Sequence, residues 1–178
     1  FASHNVKYVK TSSRINMCDS WDFAVEHASG KFVIIIGDDD GVMSFAVEAL
    51  KHQWKTNPAD IYYWSEHTYF WPDVYGKPFC EKVSQRSQPG TMNVNQRVRS
   101  VIKRGSASLK QIPMIYHGAV SSALLDKIRA EQGRLFHSRQ PDTYLGFVCA
   151  AYSPICVNVG RALSVNAWSA ASNSGSMR

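Results

Sequence analysis

No apolar stretch of this chain approaches the roughly 20 residues that cross a bilayer; the β-branched run from Phe32 to Ile36 is only five residues long. The N-terminus lacks the basic start, apolar middle and small-residue cleavage site of a signal peptide. Cysteine is sparse and scattered, at Cys18, Cys80, Cys149 and Cys156, with no CxxC pair and no histidines at zinc-finger spacing. Neither a structural zinc site nor a disulfide framework is therefore indicated, and free thiols in a reducing cytoplasm are the simpler expectation. No internal repeat and no long linker interrupts the chain.

What is present is enough for one core. At 178 residues and 44% hydrophobic content, a single α/β domain over residues 1–178 is expected. The chain opens on Phe1 and stops at Met177-Arg178 after a Ser/Asn/Gly-rich stretch, so it reads as a piece of a longer protein. A net charge of +6 arises from 20 basic and 14 acidic residues. It concentrates at Arg97, Arg99, Lys103, Arg104 and Lys110. Such a balance suits phosphate-bearing ligands, anionic membrane surfaces or nucleic acid without choosing among them. A solvated helix face opposite Val94, Val98, Val101 and Ile102 accounts for it more simply.

Along the chain, Val6 to Lys10 reads as a short strand, and Asp19 as the cap of a helix carrying Trp21, Val25 and Ala28 on one face and ending at Gly30. Phe32 to Ile36 is continuous and β-branched, as in a central strand covered on both faces of a parallel sheet. A helix follows over Met43 to His52 and a strand over Asp60 to Trp64. Glu66 to Gly90, with Pro72, Pro78 and Pro89, reads as irregular or hairpin. Helices are expected near Asn93 to Arg104, after Ser121 or Ser122 up to Gly133, and from Pro141 onward. The last strand is Ile155 to Val159. Strands alternating with helices predict a layered α/β unit with some antiparallel additions. Sites in such sheets lie at the carboxyl ends of parallel strands, where Asp38, Asp39 and Asp40 fall.

Three adjacent carboxylates repel one another, and folding gains nothing from them unless a cation or strong donor is near. Magnesium or manganese takes one or two carboxylates together with phosphate oxygens, the coordination a nucleoside diphosphate offers. The competing explanation is an exposed acidic turn capping the next helix. An EF-hand is disfavoured because its ligands alternate along the chain.

Arg14-Ile15-Asn16-Met17, Ser20-Trp21-Asp22-Phe23-Ala24, His27-Ala28-Ser29-Gly30-Lys31-Phe32-Val33 and Gly37-Asp38-Asp39-Asp40-Gly41-Val42-Met43 together resemble the central part of family 2 glycosyltransferases. The resemblance implies a GT-A-like, Rossmann-like layered fold: a mostly parallel central sheet flanked by helices, incomplete at its N-terminus. Residues 1–65 would form the nucleotide-sugar and metal half, and 66–178 the acceptor side. It further implies that Asp39 binds the metal, Mg2+ or Mn2+, while Asp38 and Asp40 contact donor or support the metal and Arg14 approaches the nucleotide. Gly37 stands where the family's first acidic position lies, and Ser44 where proline is frequent. Pro113 to Gly118 resembles the segment before the acceptor site. Arg139 to Tyr144 falls where an acidic pair with the catalytic base is usual; Pro141 replaces its Glu, leaving Asp142.

Asp142, at a helix start where unpaired amides and the dipole favour negative charge, is the candidate base of an inverting transfer. An ordinary helix-start aspartate has the same features. His117 and His137 are candidates for contact with phosphate or acceptor. Tyr62, Tyr63, Trp64, Tyr69, Phe70 and Trp71 are candidates for a sugar-stacking wall, most of them expected in the core. Ser169, Ser172, Asn173 and Ser174 resemble a segment that closes over donor. The implied partners are a nucleoside-diphosphate sugar and a glycan or lipid-linked acceptor, with peripheral membrane association at the cytoplasmic face and no nucleic acid. The alternatives are another metal-dependent nucleotide enzyme such as a nucleotidyltransferase, or a basic nucleic-acid-binding module using Arg97 to Lys110.

Overall fold

The computed structural model describes residues 6–81, 88–105 and 112–171. Lys110 and Ser172 to Ser174 lie outside the described residues, and with them most of the expected closing segment. Helix α1 (Met17–Glu26) begins at Asn16, whose side chain accepts the Asp19 N–H. The cap is thus Asn16, and Asp19 falls in the first turn. Val6 to Lys10 is irregular rather than a strand.

Strands β1 (Phe32–Val33) and β2 (Gly41–Val42) flank the acidic turn, followed by α2 (Ala46–Thr56), β3 (Ile61–Tyr63) and β4 (His67–Phe70). A short α3 (Pro72–Tyr75) leads to β5 (Phe79–Glu81), which pairs back antiparallel onto β4. Next come β6 (Gly90–Asn93), α4 (Val94–Arg104), β7 (Gly118–Ser121) and α5 (Ser122–Gln132). The chain continues through α6 (Pro141–Tyr152), β8 (Ile155–Asn158) and β9 (Ser164–Trp168). Local chemistry sets many of these boundaries. Asn93 caps α4 and Ser121 caps α5, each accepting a first-turn N–H, Gly133 ends α5 in the left-handed region, and Pro141 occupies the first turn of α6.

The architecture is mixed α/β with two sheets. One runs β1-β7-β3-β8-β6 and the other β2-β9-β4-β5. Both draw strands from before and after residue 65. In the larger sheet β3 and β8 pair in parallel, while the other three pairings are antiparallel. The expectation of a mostly parallel central sheet is corrected accordingly, and its strongest apolar run supplies the edge strand β1 rather than a central one. The reason lies at His117 and Gly118. Tyr116 bridges Ile35 in parallel, after which the chain reverses, so β7 enters antiparallel to both neighbours. A Cβ on Gly118 would stand 2.0 Å from the Met114 carbonyl oxygen. Only glycine fits that reversal.

Alternation along the strands covers both faces of the larger sheet. Ile61, Val120 and Cys156 point to a core shared with Val25, Leu125, Ile128, Leu145 and Cys149 of α1, α5 and α6. Tyr62, Ala119 and Val157 point the other way, toward Ala46 and Leu50 of α2 and Leu163. A strand buried on both faces reads as continuously apolar, which explains Ile61-Tyr62-Tyr63-Trp64. Among the described residues no helix is long and apolar enough to cross a membrane.

Candidate functional site

The acidic turn divides into one inward and two outward carboxylates. Asp40 turns in: its side chain is fully buried. Its Oδ1 accepts the Ala167 N–H at 2.7 Å, and its Oδ2 accepts the Gly37 N–H at 2.6 Å and the Tyr116 hydroxyl at 2.5 Å. His117 Nε2 lies 3.2 Å from the same oxygen. Burial by itself would raise the Asp40 pKa. The donors from His117, Tyr116, Ala167 and Gly37 outweigh it and hold the carboxyl well below the usual carboxylate range. Asp40 is therefore ionised and occupied by protein donors. It shapes the turn, and neither oxygen is left for a sugar-nucleotide.

Behind Asp40 the network continues. His117 Nδ1 is 2.8 Å from Ser164 Oγ, which also accepts the Trp64 indole N–H at 2.8 Å. With Trp64 donating to Ser164, the serine hydroxyl is free to donate to His117 Nδ1, leaving the ring proton on the nitrogen that faces Asp40. His117 adopts a positive φ of 55°, an unusual backbone state for a non-glycine residue that needs a surrounding structure to hold it. Its N–H donates to the Ile35 carbonyl. The expected phosphate or acceptor contact at His117 is replaced by this buried positioning role, because its side chain is only 4% exposed. Burial, followed by the bond to Asp40 and the charges of Asp40 and Asp39, raises the Tyr116 phenol above its ordinary value. It remains a donor.

Asp38 and Asp39 turn out, into a cleft of about 580 Å³. Asp38 is exposed and Asp39 half-buried. Asp39 Oδ2 accepts the Ser169 hydroxyl at 3.0 Å, and its backbone carbonyl accepts the Trp71 indole N–H at 3.3 Å. Arg139, Asp142, Trp21 and Tyr116 line the same cleft. Trp21 stacks on Tyr116 with ring planes 14° apart and meets Phe136 edge-on. Helix α1 is fastened by Arg134, 2.7 Å from Asp19 and 3.0 Å from Asp22. Among the described residues no group of three or more His, Cys, Asp or Glu side chains is placed to hold a metal. Asp38 and Asp39 are the two carboxylates of the turn that line the cleft, and Asp39 Oδ2 is the oxygen engaged by Ser169.

Gly37, the neutral residue at the head of the turn, has a steric origin. A Cβ there would stand 3.0 Å from Asp39 Oδ1, Asp40 Oδ2 and the Tyr116 hydroxyl alike. A side chain there would require those oxygens to shift by a few tenths of an ångström.

Of the residues singled out in the sequence, Asp38, Asp39 and Asp142 share the cleft. Arg14 is exposed on the segment before α1 and does not line it. His137 packs against Tyr144. Tyr62 and Trp64 are buried, while Trp71 stays 42% exposed beside the turn. Of the basic cluster, Arg97 lies over the Tyr63 ring, whereas Arg99, Lys103 and Arg104 are exposed on α4. Arg139, two residues ahead of the Pro141 helix start, also lines the cleft. Tyr116 and Ser164 carry no local sequence signal, since their roles arise from tertiary contact.

No family model matches the chain, and no curated protein matches it.

Proposed function

We propose that this chain is the catalytic domain, or part of it, of a metal-dependent glycosyltransferase taking a nucleoside-diphosphate sugar and transferring its sugar to an acceptor hydroxyl, with inversion. The observation that carries the reading is that Asp38 and Asp39 line one cleft together with Arg139 and Asp142, about a hundred residues later in the chain. Repelling carboxylates set in one cleft with a cation and a third carboxylate suit a ligand that brings phosphates, a divalent ion and a hydroxyl together. The layered α/β arrangement, with its acidic turn at a strand end, supports the finer assignment to a GT-A-like fold.

Asp39 and Asp38 would hold the ion, which when bound offsets charge gathering on the departing diphosphate. Arg139 engages phosphate oxygens, with a guanidinium suited to paired contacts. Asp142 accepts the proton of the acceptor hydroxyl as its oxygen forms the bond to the sugar carbon and the carbon–diphosphate bond breaks. Trp21 and Tyr116 shield the cleft from water. Asp40, His117 and Ser164 keep the turn in the shape that points Asp38 and Asp39 outward.

The test is calorimetric titration of the chain with UDP, GDP and dTDP and their sugar conjugates, in manganese and in chelator. Metal-dependent binding of at least one diphosphate, abolished in Asp39→Asn and kept in Asp142→Asn, is expected. Preference for nucleoside triphosphates over every diphosphate sugar would turn the reading toward nucleotidyl transfer. Nucleotide binding indifferent to metal and to Asp39→Asn would end it.

A further inference from the structure

A second cavity, of about 490 Å³, adjoins the first cleft at the acidic turn. It shares Asp38, Asp39 and Ala171 with that cleft, and its remaining walls are Trp71, Pro72, Asp73 and Ser169, with no lysine, arginine or histidine among its described lining residues. The first cleft has Arg139; the charged side chains lining this one are all carboxylates. A phosphate would meet uncompensated negative charge here, so the two cavities select ligands of different charge.

Trp71 is held in place from several directions. Its indole N–H donates to the Asp39 carbonyl at 3.3 Å, its backbone N–H donates to the Trp168 carbonyl at 2.9 Å, and Tyr69 meets it edge-on at 5.3 Å between centroids. It is nevertheless 42% exposed. The polar lining is held as well, because the Ala170 N–H donates to Asp73 Oδ2 at 3.0 Å and the Ser169 hydroxyl to Asp39 Oδ2 at 3.0 Å. A rigid, exposed indole offers an apolar plate at little entropic cost. Carboxylates around it accept hydrogen bonds from hydroxyls. An uncharged pyranose, apolar on the faces of its ring and rich in hydroxyl donors at its rim, matches both.

We propose that the Trp71 cavity binds a neutral saccharide ring stacked on the indole, with Asp73 and the acidic turn accepting from its hydroxyls. Its assignment as the acceptor side, adjoining the metal and diphosphate cleft through Asp38 and Asp39, rests on the transferase reading. Saccharide binding itself does not. Among the aromatics between Tyr62 and Trp71, burial removes Tyr62 and Trp64 from consideration, and position selects Trp71 as the one that lines this cavity.

The experiment is saturation-transfer NMR on the chain with methyl glucoside, methyl galactoside and methyl mannoside, and with glucose phosphate as the anionic control. In metal-free buffer at least one neutral glycoside gives ring-proton transfer, and glucose phosphate gives none that depends on Trp71. Trp71→Ala weakens that binding by about fivefold to tenfold, the range of one lost aromatic contact. Trp71→Phe, which keeps a ring but no N–H, retains most of it, and an unchanged thermal unfolding curve for Trp71→Phe shows the turn intact. Silence from every neutral glycoside, equal Trp71-dependent binding of the phosphate, or binding unaffected by Trp71→Ala overturns the proposal. Manganese-dependent UDP and GDP binding is measured on the same samples. Its absence with glycoside binding intact sinks the transferase reading alone, and the converse sinks the saccharide cavity alone.

Discussion

The hydroxyl of Tyr116 and the carboxylate of Asp40, 76 residues apart, meet at 2.5 Å inside the protein. This contact decides which carboxylates of the acidic run face outward: by drawing Asp40 in, it leaves Asp38 and Asp39 at the cleft. Tyr116→Phe keeps the stack on Trp21 and removes only the donor. A hydrogen bond to a charged group contributes about 1.5–3 kcal/mol, so chemical denaturation should show a loss of that order. An unchanged midpoint would mean that the remaining donors suffice.

The acid dependence of stability follows from Asp40. Its pKa is depressed in the folded protein, so the stability it contributes is fully present above the ordinary carboxylate value near 4. That contribution is lost as pH falls through the folded value, below the usual range. Asp40→Asn should cost about 3 kcal/mol at neutral pH, since an amide offers an acceptor oxygen on one side only and sets its NH2 against the donors on the other, the Ala167 N–H or the Gly37 and Tyr116 pair. The stability gap between wild type and variant should narrow in strong acid. A gap independent of pH would assign the loss to packing rather than charge.

Arg139→Ala tests the cationic lining of the cleft. Loss of one charge-assisted contact should weaken manganese-dependent diphosphate binding by roughly tenfold to a hundredfold and flatten its salt dependence, with thermal stability unchanged. Arg14→Ala, on the exposed segment outside the cleft, should leave affinity within about twofold. Equal effects of the two substitutions would show that a diffuse positive field, rather than Arg139, is at work.

Gly37→Ala places a methyl group 3.0 Å from three oxygens at once. Overpacking of this kind costs about 1–3 kcal/mol, and here it should also weaken metal-dependent binding by spreading the turn. Calorimetry and unfolding on one preparation separate the two effects. A neutral result would show that the turn yields at no cost.

The thiols should fall into two classes. Burial pushes both Cys149 and Cys156 up to about 12, in the first case reinforced by Asp60 and in the second opposed by Arg97. Cys80 is exposed. An aromatic disulfide reagent at neutral pH should therefore modify Cys80 quickly, and Cys149 and Cys156 only after denaturant. Rapid reaction of all four would contradict the core described above.

What was legible in the sequence was local. Pro141, Gly133, Ser121 and the helix after Asn93 announce themselves through capping and backbone chemistry, and the structure puts elements there. The run from Phe32 to Ile36 is equally visible as a strand, yet burial alone cannot distinguish an edge strand packed beneath helices from a central one. The neighbour that determines the matter, β7, comes from far along the chain and arrives reversed at His117 and Gly118. The acidic turn was legible as a place where charge must be compensated. Its compensation for Asp40 comes from Tyr116, His117 and Ala167, partners that no local pattern links to it.

Every side-chain and strand donor to Asp40 from outside its own turn lies well downstream, the Ala167 amide 127 residues later. During synthesis, a nascent chain carrying α2 and β3 thus already contains a carboxylate that water alone can satisfy. Its burial must wait until β9 has left the ribosome. The sheets join through such distant pairings, a topology that folds late and slowly. A chain shortened before Ala167 would therefore lose more than its last strand: Asp40 Oδ1 would lose its strand donor, and only Tyr116, His117 and Gly37 would remain to set the direction in which Asp38 and Asp39 point.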